Sequence, residues 1–598
     1  MQKFEVRDKS INSLLTAIKD KQILMPEIQR PFVWDSTKVR DLIDSIYKGY
    51  PIGYIITSQN PDVKTKNGEV SRGKTLIIDG QQRLTALRAA VLGEPVVNKH
   101  YKKVHIKIAF HPIEEKFETQ TPAIVKNSIW ISDISKILDP NFDSYSFITN
   151  YVNQNPEVES AFIAKQIQNL RDALTNHAIG YIELSHDLDV ETVAQIFLRI
   201  NNTGVPLNQA DFAMSKIAAQ EDYDGSNIRK LVDYFAHLSV EPGFYSDIAN
   251  NDEEFAKTIF LQKISWLKNE KGDLYDPDYS DILRVAFSSE FKRGKLADLV
   301  SLLSGRNFEK RTYEEEIISD TFSRLEKSIL EFVRESHFKD FLQIIESTGF
   351  IDKSLISSKN AINFAYILYL IMKAQGEPIG VIQKTVAKWF VMSVITGRYS
   401  SSPESSFDSD IRNIEAHGAQ KVLENIEAAE LSDTFWDIGL VQDFDKSSIT
   451  HPYINTFFAA QIHAGDKGFL SHSVTLRSIK SIKGDIHHIF PYNYLKKGGL
   501  TNRNEYNQIA NFVYMERAVN IQVADRSPND YMNIVIGQTN GDELKIGRID
   551  DKAVLKSNLR QNCLPQGFEN MTIADYPSFL VERRKLMANK IKDYYRSL

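Results

Sequence analysis

Residues 76–92 read LIIDGQQRLTALRAAVL, in which a short apolar run meets a helical pattern across Asp79-Gly80-Gln81-Gln82-Arg83. The run Leu76–Ile78 is typical of a buried strand, and Arg83–Leu92 has the apolar spacing of a helix. A glycine at this junction lets the backbone turn tightly where the strand ends. The first N–H groups of the helix then remain free to bind an anion. The stretch predicts a strand–turn–helix unit of an α/β domain, with an anion site at the turn.

Helix-like and strand-like segments alternate around this unit as far as about residue 220. Ile11–Lys19 and Ser36–Lys48 carry apolar residues at helical spacing, and Ser36 is the expected N-cap of the second helix. Tyr54–Thr57 is typical of another buried strand. From about residue 225 strand signals thin out, and amphipathic stretches such as Tyr313–Glu335 and Val381–Thr396 predict a helical region.

Three domains are predicted, at 1–225 (α/β), 226–440 (mostly helical) and 441–598, where short strands return around Ile486–Phe490 and Phe512–Met515. Ser400–Ser406 (SSSPESS) is expected to be a loop that breaks helix and strand alike. The fold class is therefore α+β and multidomain.

The composition is that of an ordinary globular protein, with 598 residues, 25% charged and 42% hydrophobic, which excludes disordered and collagen-like classes. A single cysteine, Cys563, excludes an internal disulfide framework and a Cys-rich zinc finger. The N-terminus has no signal pattern, and the longest apolar run, Ala361–Met372, is too short to span a bilayer. We expect a cytoplasmic protein with no membrane partner.

The net charge of −6 is divided unevenly along the chain. Residues 441–598 carry 21 Lys and Arg against 16 Asp and Glu, whereas residues 1–440 carry 51 against 62. The overall acidity argues against a nucleic-acid partner, but the basic C-terminal part has the charge that such a partner requires.

Two further N-terminal motifs carry polar groups suited to the anion site. PEIQRPFVW (Pro26–Trp34) contains Gln29 and Arg30, and FLRINNTG (Phe197–Gly204) contains Asn201 and Asn202. Arg83 offers a bidentate fork for phosphate. Asp79 has three candidate partners: a ribose hydroxyl, a metal-bound water, or Arg83 itself.

Gly68–Thr75 (GEVSRGKT) also satisfies the pattern of a phosphate-binding P-loop. That loop requires a strand before it and a helix after it. Here a polar stretch precedes the match and a strand-like run follows it, which favours a basic solvent loop.

The C-terminal region contains DIHHIFP (Asp485–Pro491), followed by Asn511 and Asn520. Cleavage of a phosphodiester needs a base to activate water and a divalent metal to stabilise the phosphorane and the leaving oxygen. An imidazole serves as that base near neutral pH when a carbonyl or amide holds its other nitrogen. A His-His hairpin followed by two asparagines supplies these parts in a small ββ-metal unit.

The segments IQRPFVW, DGQQRLTAL and RINNTG resemble the N-terminal domain of GmrSD-type restriction proteins and their BrxU-like and SspE-like relatives. That domain is distantly similar to the ParB/sulfiredoxin fold, which binds nucleotide phosphates at a helix start. The resemblance implies binding and hydrolysis of a nucleoside triphosphate (GTP, ATP, UTP or CTP). Matching of motifs assigns nucleotide contacts to Gln29, Arg30, Asp79, Gly80, Gln81, Gln82, Arg83, Asn201 and Asn202.

The ordered set His-His-x-x-Pro, Asn, Asn resembles the HNH (ββα-metal) nuclease signature, in the variant at the C-terminus of the same proteins. The segments GRYSSSPES (Gly397–Ser405) and FLVERRKL (Phe579–Leu586) are similar to that family too. The resemblance implies that His488 is the general base and His487 the first metal ligand. It implies that Asn511 orients the base and Asn520 is the second metal ligand.

Many HNH sites have Asp where His487 stands, so both protein ligands here are neutral and hold a hard cation weakly. We therefore expect Mn²⁺ or Ni²⁺ to support activity at least as well as Mg²⁺. The next helix is expected to begin at Ser527-Pro528, which would leave Asn520 in a loop. The candidate DNA phosphate contacts are Lys483, Lys496, Lys497, Arg503, Arg583 and Arg584.

These features predict a nucleotide-dependent DNA endonuclease of the Type IV restriction class, which acts on modified phage DNA. A phosphorothioate-regulated nickase and a nucleotide-binding sensor without cleavage remain alternatives, and a homodimer is left open. The helical middle is expected to couple the nucleotide site to the nuclease.

Overall fold

The computed structural model describes residues 4–20, 22–24, 32, 34–58, 75–98, 103–185, 209–218, 220–482, 484 and 486–598. The predicted contacts Gln29, Arg30, Asn201, Asn202 and Lys483 lie outside these residues. The chain divides into two compact units. The N-terminal unit comprises Met1–Glu270, Asp278–Ser280 and Leu303–Ser319, and the C-terminal unit the remainder. The predicted division into three domains stays a prediction, because the compact units of the structure do not test it.

A five-stranded mixed sheet organises the N-terminal unit, in the order Phe4–Ser10, Ala178–Leu184, Tyr54–Ser58, Thr75–Asp79 and Ile23–Leu24. Neighbouring strands pair antiparallel, parallel, antiparallel and parallel in that order. The short strands Val96–Val97 and Lys103–Val104 pair antiparallel, and so do Ile108–His111 and Lys116–Thr119. This mixture of strands and helices confirms the predicted α+β class.

Helices pack around this sheet because their apolar residues recur at helical spacing. Ile11–Lys19 has the predicted bounds. The helix predicted from Ser36 runs over Ser36–Tyr47, but its N-cap is Asp35, whose carboxylate accepts the Lys38 N–H at 2.8 Å. The other α-helices of this unit are Gln81–Val91, Pro122–Val125, Ser135–Leu138, Ser144–Gln154, Ser160–Asn176, Gln209–Ala218, Gly225–Val240, Tyr245–Asn251, Glu253–Ala256 and Ile259–Lys263.

The C-terminal unit is almost wholly helical. The predicted buried helix at Ala361–Met372 is confirmed inside Lys359–Ala374. Its other longer helices are Tyr279–Phe291, Leu296–Leu302, Glu315–Val333, Glu335–Ser347, Ile379–Thr396, Pro403–His417, Ala419–Glu430, Pro452–His463, Arg517–Val523, Pro528–Thr539, Lys552–Gln561 and Tyr576–Ser597. Short helices are Leu440–Asp443, Leu476–Ser481, Tyr492–Lys497 and Arg503–Tyr506, and the strands are Ile486–His488 and Phe512–Tyr514.

The segment Gly397–Ser405 has a structural role in this unit. Arg398 binds both carboxylate oxygens of the fully buried Asp410, at 2.8 and 2.6 Å, and the Tyr399 hydroxyl donates to the same group at 2.7 Å. The prediction of a loop throughout Ser400–Ser406 is wrong, because Pro403 occupies the first turn of the helix Pro403–His417. Proline is tolerated there, where its missing N–H has no partner to lose.

Among the described residues, the helix Ile379–Thr396 is long and apolar enough to cross a membrane, and 61% of it is buried inside the protein. That burial is typical of the core helix of a globular unit.

Candidate functional sites

The first candidate site lies where the strand Thr75–Asp79 turns into the helix Gln81–Val91. Gly80 makes the turn with φ +96°, and a Cβ at this position would lie 2.4 Å from the Ile55 Cδ1 atom. The left-handed backbone therefore favours glycine at this position, whereas the Ile55 side chain could shift. The strand that follows the Gly68–Thr75 match agrees with the predicted order, which is not that of a P-loop.

Arg83 lies on the first turn of the helix, and its guanidinium binds two groups within the N-terminal unit. Its Nη2 donates to the Asp79 Oδ2 at 2.6 Å, and its Nη1 donates to the Ile52 carbonyl at 3.0 Å. A Cβ at Gly53 would lie 2.2 Å from the Arg83 Nη1 atom, so glycine makes room for the guanidinium. Of the three partners considered for Asp79, the structure shows Arg83. An incoming phosphate would therefore share this guanidinium with Asp79 and the Ile52 carbonyl.

Gln81 is buried at 8% exposure, and Gln82 is half-buried on the same first turn. The structure thus brings Asp79 to Arg83 together at one turn. Participation of Gln29, Arg30, Asn201 and Asn202 in the same site stays a prediction. Trp34, from the motif that contains Gln29 and Arg30, packs partly buried against the N-terminal core.

The second candidate site is built on a small hairpin in the C-terminal unit. Ile486–His488 pairs antiparallel with Phe512–Tyr514, so that His487 lies opposite Val513 and His488 opposite Phe512. The helix Arg517–Val523 begins three residues after Tyr514. The predicted strands are confirmed, and the helix that follows them begins earlier than the predicted start at Ser527-Pro528.

His488 is half-buried, and its ring is held by a residue that the sequence did not reveal. Its Nε2–H donates to the Asn507 Oδ1 at 2.9 Å. The ring centroid lies 5.1 Å from that of Phe512 and 6.4 Å from that of Tyr492. Burial lowers the pKa of His488, although the hydrogen bond to Asn507 partly opposes this. The imidazole is thereby kept neutral near pH 7, with Nδ1 as its lone-pair nitrogen.

Asn511 contacts backbone rather than the His488 imidazole, and its role in orienting the base stays a prediction. Its Oδ1 accepts the Phe490 N–H at 2.8 Å, and its Nδ2 donates to the carbonyls of Phe490 at 3.1 Å and Tyr506 at 3.3 Å. Asn511 is fully buried. It therefore fixes the backbone two residues beyond His488, and the amide that touches the ring belongs to Asn507.

Asn520 lies on the helix Arg517–Val523, so its predicted place in a loop is wrong. The following helix does begin at Pro528 with Ser527 as N-cap, as predicted. His487 and Asn520 are both half-buried. Imidazole nitrogen and amide oxygen are donors suited to first-row divalent metals, so these two side chains fit a metal by chemistry. Among the described residues, no group of three or more His, Cys, Asp or Glu side chains is placed to hold a metal ion.

The predicted DNA contacts divide into two groups. Lys496, Lys497 and Arg503 are exposed on the two short helices of the hairpin connection. Arg583 is fully buried, and it donates to the carbonyls of Ala510 at 2.6 Å, Phe512 at 3.0 Å and Asn562 at 3.1 and 3.3 Å. A phosphate contact for Arg583 is therefore wrong, because its donors hold protein backbone.

Arg584 is also engaged within the protein. Its Nη2 donates to the Asp445 carboxylate at 2.7 Å and to the Gln508 Oε1 at 2.8 Å, and its side chain is 14% exposed. A DNA phosphate would therefore compete with Asp445 and Gln508 for Arg584, and the predicted contact stays a prediction.

Tyr492 and Lys496 form a polar group beside His488 that the sequence analysis missed. The Lys496 ammonium lies 4.7 Å from the centroid of the Tyr492 ring, and that ring meets Tyr506 edge-on at 4.7 Å. A hydrogen bond from Lys496 lowers the pKa of Tyr492. The spacing of Tyr492 and Lys496 along one helix face is a signal for the pair, but their proximity to His488 arises only through the fold.

Comparison with known proteins finds similarity in the N-terminal part of the chain and to one protein along most of its length. Residues 11–218 match the family model described as "GmrSD restriction endonuclease, N-terminal domain". The chain is also 20% identical over 574 residues to an uncharacterized protein of Methanocaldococcus jannaschii, covering 88% of this chain and 87% of that protein. The N-terminal match indicates a restriction endonuclease of the GmrSD type, whose substrate is DNA.

Proposed function

We propose that this chain is a metal-dependent DNA endonuclease of the HNH type, in the modification-dependent Type IV restriction class. Its target is modified phage DNA, and a nucleoside triphosphate bound at the Asp79–Arg83 turn controls it. The observation that carries the proposal is the position of His488. It lies on the first strand of a strand–strand–helix unit, and Asn507 holds its ring through Nε2.

His488 is suited to act as general base in this reaction. Because Nε2–H is donated to Asn507, Nδ1 is the nitrogen that accepts a proton from the attacking water. Asn507 fixes the plane of the ring, and Asn511 fixes the backbone beyond it. The two asparagines together therefore orient the base: Asn507 through the His488 ring, and Asn511 through the backbone that follows His488.

His487 and Asn520 would hold the divalent cation. When bound, the cation stabilises the charge that develops on the phosphate and the leaving oxygen. Both donors are neutral, so the ligand set favours Mn²⁺ or Ni²⁺ at least as well as Mg²⁺. A cleavage titration with each metal tests this preference, and a clear advantage for Mg²⁺ contradicts it.

Lys496, Lys497 and Arg503 would contact the DNA backbone. All three are exposed on the connection between the two strands, and Lys496 contacts Tyr492 beside His488. Such contacts give affinity that falls with salt but no sequence information.

The Asp79–Arg83 turn is the proposed triphosphate site. A phosphate at the start of the helix Gln81–Val91 would meet the first helical N–H groups and the Arg83 guanidinium. Arg83→Ala should abolish hydrolysis of the triphosphate. Arg88→Ala is the matched control, since Arg88 lies on the same helix but pairs with Glu94.

The decisive experiment is a cleavage assay on glucosylated, hydroxymethylated, phosphorothioated and plain plasmid DNA, with and without GTP, ATP, UTP and CTP. His488→Ala should abolish cleavage, whereas His472→Ala, an exposed histidine in the same unit, should retain it. Nicked circles that depend on phosphorothioation would favour the nickase instead. Phage protection that survives His488→Ala would favour a sensor without cleavage.

A further inference from the structure

A cavity of about 900 Å³ opens in the C-terminal unit, outside the hairpin that carries His487 and His488. Its walls come from the helices Pro452–His463, Pro528–Thr539, Lys552–Gln561 and Tyr576–Ser597. The volume lies in the range of cavities that hold small organic ligands.

One wall of the cavity is cationic. Lys552, Lys556 and Arg560 follow each other at four-residue spacing, which places them on one face of their helix, and all three are exposed. Neither Lys552 nor Lys556 forms an ion pair with a carboxylate in the described part of the chain. This row of basic side chains is suited to a ligand that carries several negative charges.

The remaining walls are of two kinds. The apolar lining, here called the aliphatic floor, comes from Leu555, Leu559, Met532 and Ile536. The polar lining comes from Asn589 and Asp593 of the C-terminal helix and from Glu569. A ligand with an apolar body, hydroxyl groups and an anionic end therefore matches the kinds of side chain that line the cavity.

A further positive charge, that of Arg583, lies next to the residues that line the cavity. Arg583 is fully buried and donates to the carbonyl of Asn562, the residue before Cys563, which lines the cavity. Within the described residues no carboxylate forms an ion pair with Arg583, and burial lowers its pKa to about 10. Lys590, on the cavity wall, is neutralised by Asp466. An anion in the cavity would partly compensate the buried charge of Arg583.

We propose that this cavity is a second nucleotide site, distinct from the Asp79–Arg83 turn. The phosphates of the nucleotide contact Lys552, Lys556 and Arg560, its base lies on the aliphatic floor, and its ribose hydroxyls meet Asn589 and Asp593.

The site is connected to the nuclease hairpin through one side chain. Arg583 joins the Asn562 carbonyl, at the end of the basic helix, to the Phe512 carbonyl in the second strand of the hairpin. Phe512 lies opposite His488 in the ladder. Occupancy of the cavity therefore regulates the position of the base, a role that rests on the proposed function.

The test measures binding of the fluorescent analogue TNP-ATP to full-length protein, separately from cleavage. The variants are Arg83→Ala, the double variant Lys552→Glu/Lys556→Glu, and their combination. Lys384→Glu, an exposed lysine elsewhere in the same unit, is the matched control. Charge reversal at exposed helix positions keeps the fold intact, which circular dichroism verifies.

We expect both sites to bind in the parent, one in Arg83→Ala, one in the Lys552→Glu/Lys556→Glu protein, and neither in the combination. Affinity at the cavity should fall about tenfold for each phosphate contact removed. Binding in Arg83→Ala that is unaffected by Lys552→Glu/Lys556→Glu overturns the proposal. So does loss of duplex DNA affinity in that variant without loss of TNP-ATP binding, which would make the basic row a DNA surface. If no DNA is cleaved under any condition, the proposed nuclease function fails while the binding result still decides the site.

Discussion

Replacement of Arg583 by methionine separates a structural role from a DNA-binding role. Methionine keeps an unbranched apolar side chain, although a shorter one, and removes every donor. Arg583 makes hydrogen bonds to the carbonyls of Ala510, Phe512 and Asn562, all inside the C-terminal unit. An unsatisfied buried carbonyl costs about 1–3 kcal/mol, and removal of a buried charge recovers part of that loss. We expect the variant to be about 3–5 kcal/mol less stable.

Calorimetric unfolding and the salt dependence of DNA binding together check this prediction. A lower unfolding temperature with an unchanged salt slope is expected, because Arg583 has no exposed donor. Lys585→Met is the control, since Lys585 is exposed in the same charged run and pairs only locally with Glu582. Unaltered stability of the Arg583 variant, with a salt slope reduced by about one, would identify a phosphate contact and refute the reasoning.

Three further predictions concern single side chains. Gly80→Ala should cost the N-terminal unit about 2–4 kcal/mol, measured by urea unfolding, because alanine at φ +96° is strained and crowded. Burial lowers the pKa of His237 to about 4. The neutral imidazole therefore contributes up to about 3 kcal/mol to the free energy of unfolding above pH 6.5, and this contribution is lost as the pH falls toward 4. His237→Gln should flatten that part of a curve of melting temperature against pH. Asn507→Ala should slow single-turnover cleavage about 10–100-fold without weakening DNA binding, because His488 loses its orienting partner, whereas the exposed Asn504→Ala should cleave normally.

Periodicity predicted the helices well where apolar residues alone decide the structure. Ile11–Lys19 and the buried helix around Ala361–Met372 are examples, because their apolar residues determine which face is buried. The turn at Gly80 was predictable for a different reason, since few residues other than glycine adopt its backbone. The starts of helices were less predictable, because Asp35 and Ser36 are both good N-caps and only the surrounding chain decides between them.

The details of the hairpin site were less accessible from the sequence. Asn507 and Asn511 are both asparagines in the same connection, and only the fold places one against the His488 ring and the other against backbone. Arg583 did leave a signal. It stands at four-residue spacing between Phe579 and Met587, which are both fully buried. The charge of Arg583 suggested a DNA contact, although its position in the helix indicated a buried side chain.

The hairpin of the proposed nuclease depends on Arg583, a residue that is synthesised well after both strands of the hairpin. Ala510 and Phe512 are held by Arg583, which lies 73 and 71 residues further along the chain. Until that part of the chain has been synthesised and the helix Tyr576–Ser597 has docked, the two three-residue strands lack this support. A nascent or prematurely terminated chain therefore carries both histidines without a fully supported site. The order of synthesis itself delays the appearance of an active nuclease in the cell that makes it.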